Sequence, residues 1–433
     1  MDRVGLALDN AFQLPGSIEV HISGSIGITL YPFDEGDSEQ LLRHADQALY
    51  AAKAEKGRRA RFWCAFQGDD EASTMQRRPY IELLHQGALV AYYQPILHLA
   101  SGQIIGVEAL ARLRQGNEIL PPAVFLDHLD HAAGQLLAEQ MMRQAMLAAQ
   151  YWETAGFPLE VAINVPPEVL LSDTFLERIE VTIAESALPA ERLTLEILES
   201  GEFLSLNLAK NRIAQIRAMG VRIALDDVGS AYASLLRLKE IAVDEVKLDQ
   251  SFIQEIPQNP ADLVFVMSVG ALAQSIGARY VVEGAETAET INALAVLGVE
   301  CVQGYAIARP MPEEALLEWL RAWNGIAQDT QPRTLLGAYA SHLQFDGIYR
   351  LAPRLLGQLQ HLEDVCQCRL GEYLDHHGLE QSALGKAHQA YHYCVGTAHS
   401  ATELDACRQH VASAMAATQQ QIAEHGHPPH GTN

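Results

Sequence analysis

Apolar and polar positions along this chain follow two different rhythms. From about residue 80 to 325, short apolar runs of strand length alternate with stretches in which apolar residues recur every three to four positions. One run and one such stretch take about thirty to forty residues together, the repeat of a parallel β/α unit. Strands are expected at about 90–94, 104–109, 159–164, 192–197, 221–226, 243–247, 279–283 and 299–303, with helices between them, as at 133–155 and 261–277. Eight units of this kind predict an α/β protein built on a (β/α)8 barrel of parallel strands, spanning residues 80–325.

The flanks read differently. Residues 1–66 hold VHISGSIGITLYP, which reads as a strand, and SEQLLRHADQALYAAKAEKG, which reads as an amphipathic helix. Its stripe is Leu41, Leu42, Ala45, Ala48, Leu49 and Ala52. One helix with one or two strands is too little to close a core alone, so a small α+β remnant is expected. Residues 67–79 (QGDDEASTMQRRP) form a polar linker. Past residue 333 the β rhythm disappears. Leu336, Tyr339, Leu343, Leu351, Leu355, Leu359 and Leu362 make a helical stripe interrupted at Pro353, and Leu404, Cys407, Val411, Met415 and Ile422 make another. Residues 333–423 are therefore expected as a helical bundle, and 424–433 (EHGHPPHGTN) as a disordered tail.

Six of the barrel's apolar runs finish on a polar group: IIGVE at Glu108, VAIN at Asn164, LTLE at Glu196, RIALD at Asp226, VDEVK at Lys247 and YVVE at Glu283. Parallel barrel strands converge at their C-terminal ends, so these groups are expected around one concave site. Any one of them would most simply be a solvated loop residue or a helix cap. Six independent strands making that same choice is what carries the functional reading, and four carboxylates among them suggest metal.

Composition narrows the field. Hydrophobic content of 48% with 19% charged residues is that of a globular protein. The net charge of −24 argues against affinity for nucleic-acid polymers, which need a basic surface. An anionic substrate would therefore require positive charge inside the site. The longest uncharged stretch, Leu263 to Ala278, is too short to span a bilayer, and MDRVGLALDN lacks the plan of a signal peptide. A soluble cytoplasmic protein is expected. Of six cysteines, Cys366, Cys368, Cys394 and Cys407 share the last hundred residues with most of the histidines, a concentration that leans toward metal binding rather than disulfides in that compartment.

The words around the strand endings resemble those of the EAL-domain phosphodiesterases. Tyr93-Gln94-Pro95 precedes Glu108-Ala109-Leu110; NVPPEVL carries Asn164, and LEILES carries Glu196 and Glu199. DDVGSAYASL begins at Asp226, VDEVKLDQSFI carries Lys247 and Asp249, VVEGAET carries Glu283, and VQGY carries Gln303. The resemblance covers residues 80–325 and implies hydrolysis of cyclic di-GMP to linear pGpG in bacterial signalling, by a homodimer holding two Mg2+ or Mn2+ ions. Two metals about 3.5–4 Å apart can both activate a water and neutralise phosphoryl charge, and hard ions want oxygen ligands. The implied ligands are Glu108, Asn164, Glu196, Asp226, Asp227, Asp249 and Glu283. Lys247, Glu283, Glu108 and Asp226 carry the catalysis, with Lys247 a point charge for the nucleophilic water or a non-bridging oxygen. Gln94, Leu110, Arg112, Gln303 and Pro310 would touch the substrate, and Glu199 and Ser230 would anchor the loop after Asp227. That loop departs from the family pattern at Val228, Ser230 and Ala231, and Val282 stands where alanine is usual. The rival expectation is a barrel that binds cyclic di-GMP without cleaving it.

Two further resemblances lie in the flanks. SIGI…YP, AD.ALY.AK and the following GR are similar to the last third of a GGDEF domain, whose signature loop would lie upstream of residue 1, so no cyclase activity is expected from it. HLQF at His342, CRLGEYL at Cys368 and HQAYH at His388 and His392 resemble the chemoreceptor zinc-binding (CZB) domains. The pair His388/His392 shares one helix face, as a zinc site needs. That resemblance implies a His3Cys zinc site of His342, Cys368, His388 and His392, which could make the bundle a zinc- or redox-sensing platform. Tyr373 stands where that family has tryptophan.

Overall fold

The structure is a computed structural model that describes residues 12–14, 18–20, 25–31, part of 41–52, 63–66, 79–198, 206–229, 241–325, 331–351, 368–397 and 401–425. The chain divides into two compact units, Met1–Pro79 and Tyr80–Asn433. In the first, β1 (Phe12–Leu14) pairs antiparallel with β2 (Ile18–Val20), and β3 (Ile26–Ile28) pairs parallel with β4 (Trp63–Ala65). The described residues among 41–52 are helical, with Ala48 and Ala52 buried. They lie so close to β3 that a Cβ on Gly27 would fall 1.9 Å from the Ala45 carbonyl, an approach only glycine allows.

The second unit is the barrel with a helical extension. Its strands are β5 (Leu89–His98), β6 (Gln103–Gln115), β8 (Glu160–Asn164), β9 (Leu193–Leu198), β10 (Arg222–Val228), β11 (Glu245–Leu248), β12 (Arg279–Val282) and β13 (Cys301–Val302). They close in the order β5-β13-β12-β11-β10-β9-β8-β6-β5, with the short β7 (Glu118–Leu120) hairpinned onto β6. Two expectations are corrected here. The strands are not all parallel: β5 runs antiparallel to both β6 and β13. Glu108 is not a strand end either, because β6 continues past it to Gln115 through pairing with β5 and β7.

Helices α1 (His131–Thr154), α2 (Asp173–Glu185), α3 (Leu206–Ala218), α4 (Leu263–Ile276), α5 (Ala288–Leu297) and α6 (Glu313–Ala322) cover the outside. α1 begins where the Asp130 carboxylate accepts the Ala133 amide at 2.8 Å, a side-chain cap. Its inner face buries Met141, Ala145 and Trp152, and the Trp152 ring meets Tyr93 of β5 edge-on at 4.8 Å. That contact fixes the face from which β5 points Gln94 inward.

The extension comprises α7 (Leu335–Leu351), α8 (Arg369–His376), α9 (Ala383–Thr397) and α10 (Ala401–His425). α10 runs two residues into the stretch read as a tail; Pro353, Leu355, Leu359, Leu362 and residues 426–433 lie outside the described residues, so the expected interruption at Pro353 does too. The bundle is fastened to the barrel through α5. Asn292 Nδ2 donates to the Gln331 carbonyl at 3.0 Å, and its Oδ1 accepts from the Arg333 and Thr334 amides at 3.0 and 3.2 Å. Among the described residues no helix is long and apolar enough to cross a membrane.

Candidate active site

The strand registers bring the polar endings together. Asn164 on β8 lies beside Glu196 on β9, and on the antiparallel pair Gln94 of β5 lies opposite Glu108 of β6. At the centre is Lys247, which the bland reading would send to solvent. It is fully buried instead. Its Nζ lies 2.7 Å from Glu283 Oε1, 2.9 Å from Glu196 Oε1, 3.3 Å from Glu108 Oε2 and 3.4 Å from Asp226 Oδ1.

Glu108 is held at both oxygens. Asn164 Nδ2 donates to Oε1 at 2.8 Å, and Gln303 Nε2 donates to Oε2 at 2.7 Å. Burial pushes its proton affinity up, but Lys247 and these amide donors outweigh that and leave its pKa below the usual range. Glu196 is the opposite case. It is fully buried, and beyond the Lys247 ammonium 2.9 Å from Oε1 neither oxygen has a partner among the described residues. Burial first, then repulsion from Glu108, drives its pKa well up despite Lys247. An ionised carboxylate in that position calls for a cation beyond the one lysine present.

The neighbouring acids lean the same way. Burial raises Asp226, with Glu108 adding to it against Lys247. Burial and then Asp226 raise Asp227 to about 7, and burial raises Glu283 to about 8 in spite of Lys247. Carboxylate oxygens of Asp226, Asp227 and Glu283 lie within 4.8 Å of one another, close enough to share one ion. Asp227 adopts φ 57°, a left-handed backbone that aspartate tolerates better than most residues. Its side chain interacts with Asp249, which also accepts from the Ser251 amide at 3.0 Å and from the Ser251 hydroxyl. The oxygen-only donor set and the Glu196 carboxylate, whose Oε2 has no partner among the described residues, fit hard divalent cations.

Gln94 and Gln303, expected at the substrate, are tied to Glu108. Gln303 Nε2 also donates to Gln94 Oε1 at 3.1 Å, and Gln94 Nε2 donates to the Ala308 carbonyl at 3.2 Å. Gln303 Oε1 is buried without a partner. Leu110, Arg112 and Pro310 are half-buried; Arg112 lies over the Tyr92 ring at 5.5 Å. Sequence reasoning missed Tyr305 and Arg309. Tyr305 is 49% exposed, the Arg309 guanidinium covers its ring at 4.1 Å, and its hydroxyl acts electrostatically on Arg112. The VQGYAIARP segment carries no periodicity that would announce this pair. The loop anchors Glu199 and Ser230, with Ala231, lie outside the described residues. Val228 is buried in the core, and Gly229 at φ 104° packs against Phe252, where a Cβ would come within 2.7 Å of the ring.

The second predicted cluster also forms. His342 of α7, Cys368 at the start of α8, and His388 and His392 of α9 are all buried, with one ligand atom from each inside 4.8 Å. Cys368 Sγ lies 3.3 Å from His388 Nε2 and 3.8 Å from His342 Nδ1, and His388 and His392 approach at 3.1 Å through Nε2. Burial first, then neighbouring histidines, lower His342 to about 3 and His388 to about 2, so both imidazoles are neutral near pH 7. The remaining cysteines overturn part of the expectation that the C-terminal thiols all lean to metal. Cys394 and Cys407 are joined as a disulfide, and Cys366 lies outside the described residues.

Comparisons with known proteins agree on the barrel. A family model described as EAL domain matches residues 77–310, and one described as diguanylate cyclase, GGDEF domain matches residues 7–59. Among curated relatives, the cyclic di-GMP phosphodiesterase RocR of Pseudomonas aeruginosa is 36% identical over 54% of this chain and 61% of its own. The bifunctional diguanylate cyclase/cyclic di-GMP phosphodiesterase MucR of the same organism is 32% identical over 69% of this chain and 44% of its own. This chain thus spans less than two thirds of the relatives it matches. Among solved structures, the PaMucR phosphodiesterase in its c-di-GMP complex superposes with TM-score 0.52 at 29% identity, covering 56% of this chain and 99% of that one.

Proposed function

Because this chain belongs to the EAL domain family, matched over more than half its length, we propose that its barrel hydrolyses cyclic di-GMP to linear pGpG. The observation that carries the proposal is the buried Lys247 ammonium ringed by the carboxylates of Glu108, Glu196, Asp226 and Glu283. With Asp227 and Asp249 beside them, six carboxylates gather around this one buried ammonium among the described residues. We assign Glu108, Asn164, Glu196, Asp226, Asp227, Asp249 and Glu283 as ligands of two Mg2+ or Mn2+ ions, which when bound supply positive charge to the phosphoryl oxygens and activate water.

The chain's own groups prepare that chemistry. Asn164 and Gln303 fix the two oxygens of Glu108, so its orientation is set before substrate arrives. Lys247 Nζ would hold the attacking water or a non-bridging oxygen. The Glu283 carboxylate, 2.7 Å from Nζ through Oε1, would accept a proton. Leu110, Arg112 and Pro310 would contact the dinucleotide, and Gln303 Oε1 offers the free acceptor of the Gln94–Gln303 pair. Incubating the purified chain with Mn2+ and cyclic di-GMP should give the linear dinucleotide. Asp226→Ala should lower the rate on the order of 10³-fold with its circular dichroism unchanged. Binding without cleavage by the wild-type chain would replace this reading with the receptor one. Homodimerisation and a cytoplasmic location rest on family likeness, and light scattering and fractionation test them.

A second reading concerns the bundle, which we propose is a CZB-like domain holding Zn2+ on His342, Cys368, His388 and His392. Zn–N bonds of about 2.0–2.1 Å and Zn–S bonds of about 2.3 Å give tetrahedral edges of about 3.3–3.6 Å, close to the separations among these donors. Metal analysis of chelator-free protein should find one zinc per chain, lost in Cys368→Ala. Equal zinc in both would refute the ligand set.

A further inference from the structure

The disulfide sits at a structurally selected place in the bundle. Cys394 follows His392 by two residues on α9, and Cys407 lies on α10. Both are half-buried, their Cα atoms 7.0 Å apart, at the outer limit of a disulfide's span. The next residue on α10, Arg408, donates from Nε to both oxygens of Asp346 on α7, at 2.8 and 2.9 Å. Asp346 Oδ1 also accepts from the Tyr391 hydroxyl of α9 at 2.7 Å, and one turn before Asp346 stands His342. α10 contributes no ligand to the His/Cys cluster, yet it is fastened to both helices that contribute its histidines. The link to α9 is covalent and the link to α7 is an ion pair. Cys368 and Cys301 are buried by contrast, so Cys394 and Cys407 are the bonded pair that solutes can reach among the described cysteines.

We propose that Cys394 and Cys407 are a reversible dithiol–disulfide clasp, closed by hydroperoxides and opened by reductants, that sets how firmly the bundle retains its metal. In closure, one cysteine sulfur attacks a peroxide oxygen. The S–O bond forms, the O–O bond breaks, and water or alcohol leaves. The second sulfur then attacks the first, forming S–S and releasing the oxygen as water. The peroxide gains the two electrons the thiols lose, and the thiol protons end in the released molecules. A closed clasp joins residues 13 apart and removes freedom from the open state, so local opening of α9 and α10 becomes rarer. Opening leaves α10 held to α7 by noncovalent ties such as Arg408–Asp346, and the cluster should exchange metal faster.

The metal-retention part rests on the zinc reading; the clasp itself does not. The test uses the zinc-loaded full chain, treated with hydrogen peroxide or with a phosphine reductant, and a chromophoric chelator to follow zinc release. Trypsin should liberate residues 387–408 as one peptide, since no Lys or Arg intervenes. After peroxide that peptide should be lighter by two hydrogens. Zinc should leave the reduced chain at least about five-fold faster than the oxidised one, and Cys394→Ser/Cys407→Ser should match the reduced chain under both treatments. Two free thiols after peroxide, equal release rates, or a peroxide effect that persists in the double variant and so belongs to Cys368 would each overturn the proposal. If the chain carries no zinc, the zinc reading fails separately and melting decides the clasp. The oxidised chain should melt several degrees higher, and equal melting would sink it.

Discussion

The two ends of the barrel are lined by charged residues from the same strands, and they are wired differently. At the N-terminal ends, Arg222 of β10 and Arg279 of β12 sit among Glu160 of β8, Glu245 of β11 and Glu300 just ahead of β13, two bases to three acids. Arg222 Nη1 lies 2.6 Å from Glu160 Oε1, and Arg279 pairs with Glu160 and, at 3.4 Å, with Glu245. At the C-terminal ends Lys247 is, among the described residues, the one base paired with Glu108, Glu196, Asp226 and Glu283. Burial acts at both ends, and bases overcome it only in part at each. Arg279 and Arg222 outweigh burial at Glu160 but leave Glu245 raised, whereas at the other end Glu108 alone falls and Glu196, Asp226, Asp227 and Glu283 all end above their usual pKa. Charge that nearly cancels closes a barrel; a larger excess of acid marks where a cationic or proton-bearing partner belongs.

The sharpest way to break this contrast is to remove the one base at the unbalanced end. Lys247→Met keeps the volume and leaves buried carboxylates without a counter-ion. The metal-free protein should lose about 3–5 kcal/mol of stability at pH 8 and less at pH 5, where the acids can take up protons instead. Cleavage should fall on the order of 10²-fold or more. Denaturant melts at the two pH values and initial rates check both. A variant as stable and active as the parent would mean Lys247 is a bystander.

A gentler probe leaves the sequence alone. Raised pKa values for Glu283, about 8, and Asp227, about 7, mean the folded metal-free protein holds protons that the unfolded chain releases near pH 4.5 and 3.8 respectively. Stability gained from that is complete below the unfolded pKa and is lost as pH rises toward 8. Because the acids are neighbours and one proton serves several, the loss between pH 5 and 8 should be about 1–3 kcal/mol. Mn2+ should flatten the curve by displacing the protons. A metal-free chain that gains stability over that range would contradict the unbalanced site.

What the sequence made legible follows from the same physics. The apolar runs located all eight barrel strands; Glu196, Asp226 and Lys247 lie one or two residues short of their strand ends, and they still converge because parallel neighbours share a register. The run around Tyr93-Gln94-Pro95 carries no sign of direction, so the antiparallel course of β5 was not legible. Neither was the Gln94–Gln303–Glu108 relay that this course creates. His388 and His392 were legible through their spacing on one helix face, while His342 and Cys368 came only from resemblance. A spacing of 13 between Cys394 and Cys407 says nothing about pairing, and only the side-by-side packing of α9 and α10 reveals it.

The nearly balanced end supplies the smallest and most discriminating prediction. Arg279→Lys keeps the positive charge between Glu160 and Glu245 but replaces a rigid planar fork with a single ammonium. The lysine can satisfy one carboxylate at a time, so stability should fall by about 1 kcal/mol. Glu160 should lose its favoured ionised state in part, so the deficit should widen as pH rises through the acid range and then level off. Turnover at saturating substrate and Mn2+ should stay within about two-fold of the parent, since no group at this end can touch a dinucleotide at the other. Denaturant midpoints and saturating rates measured on the same preparation decide it. A ten-fold loss of turnover with stability intact would show that the two ends are not independent, and charge balance at the closed end would then have to be counted as part of the site.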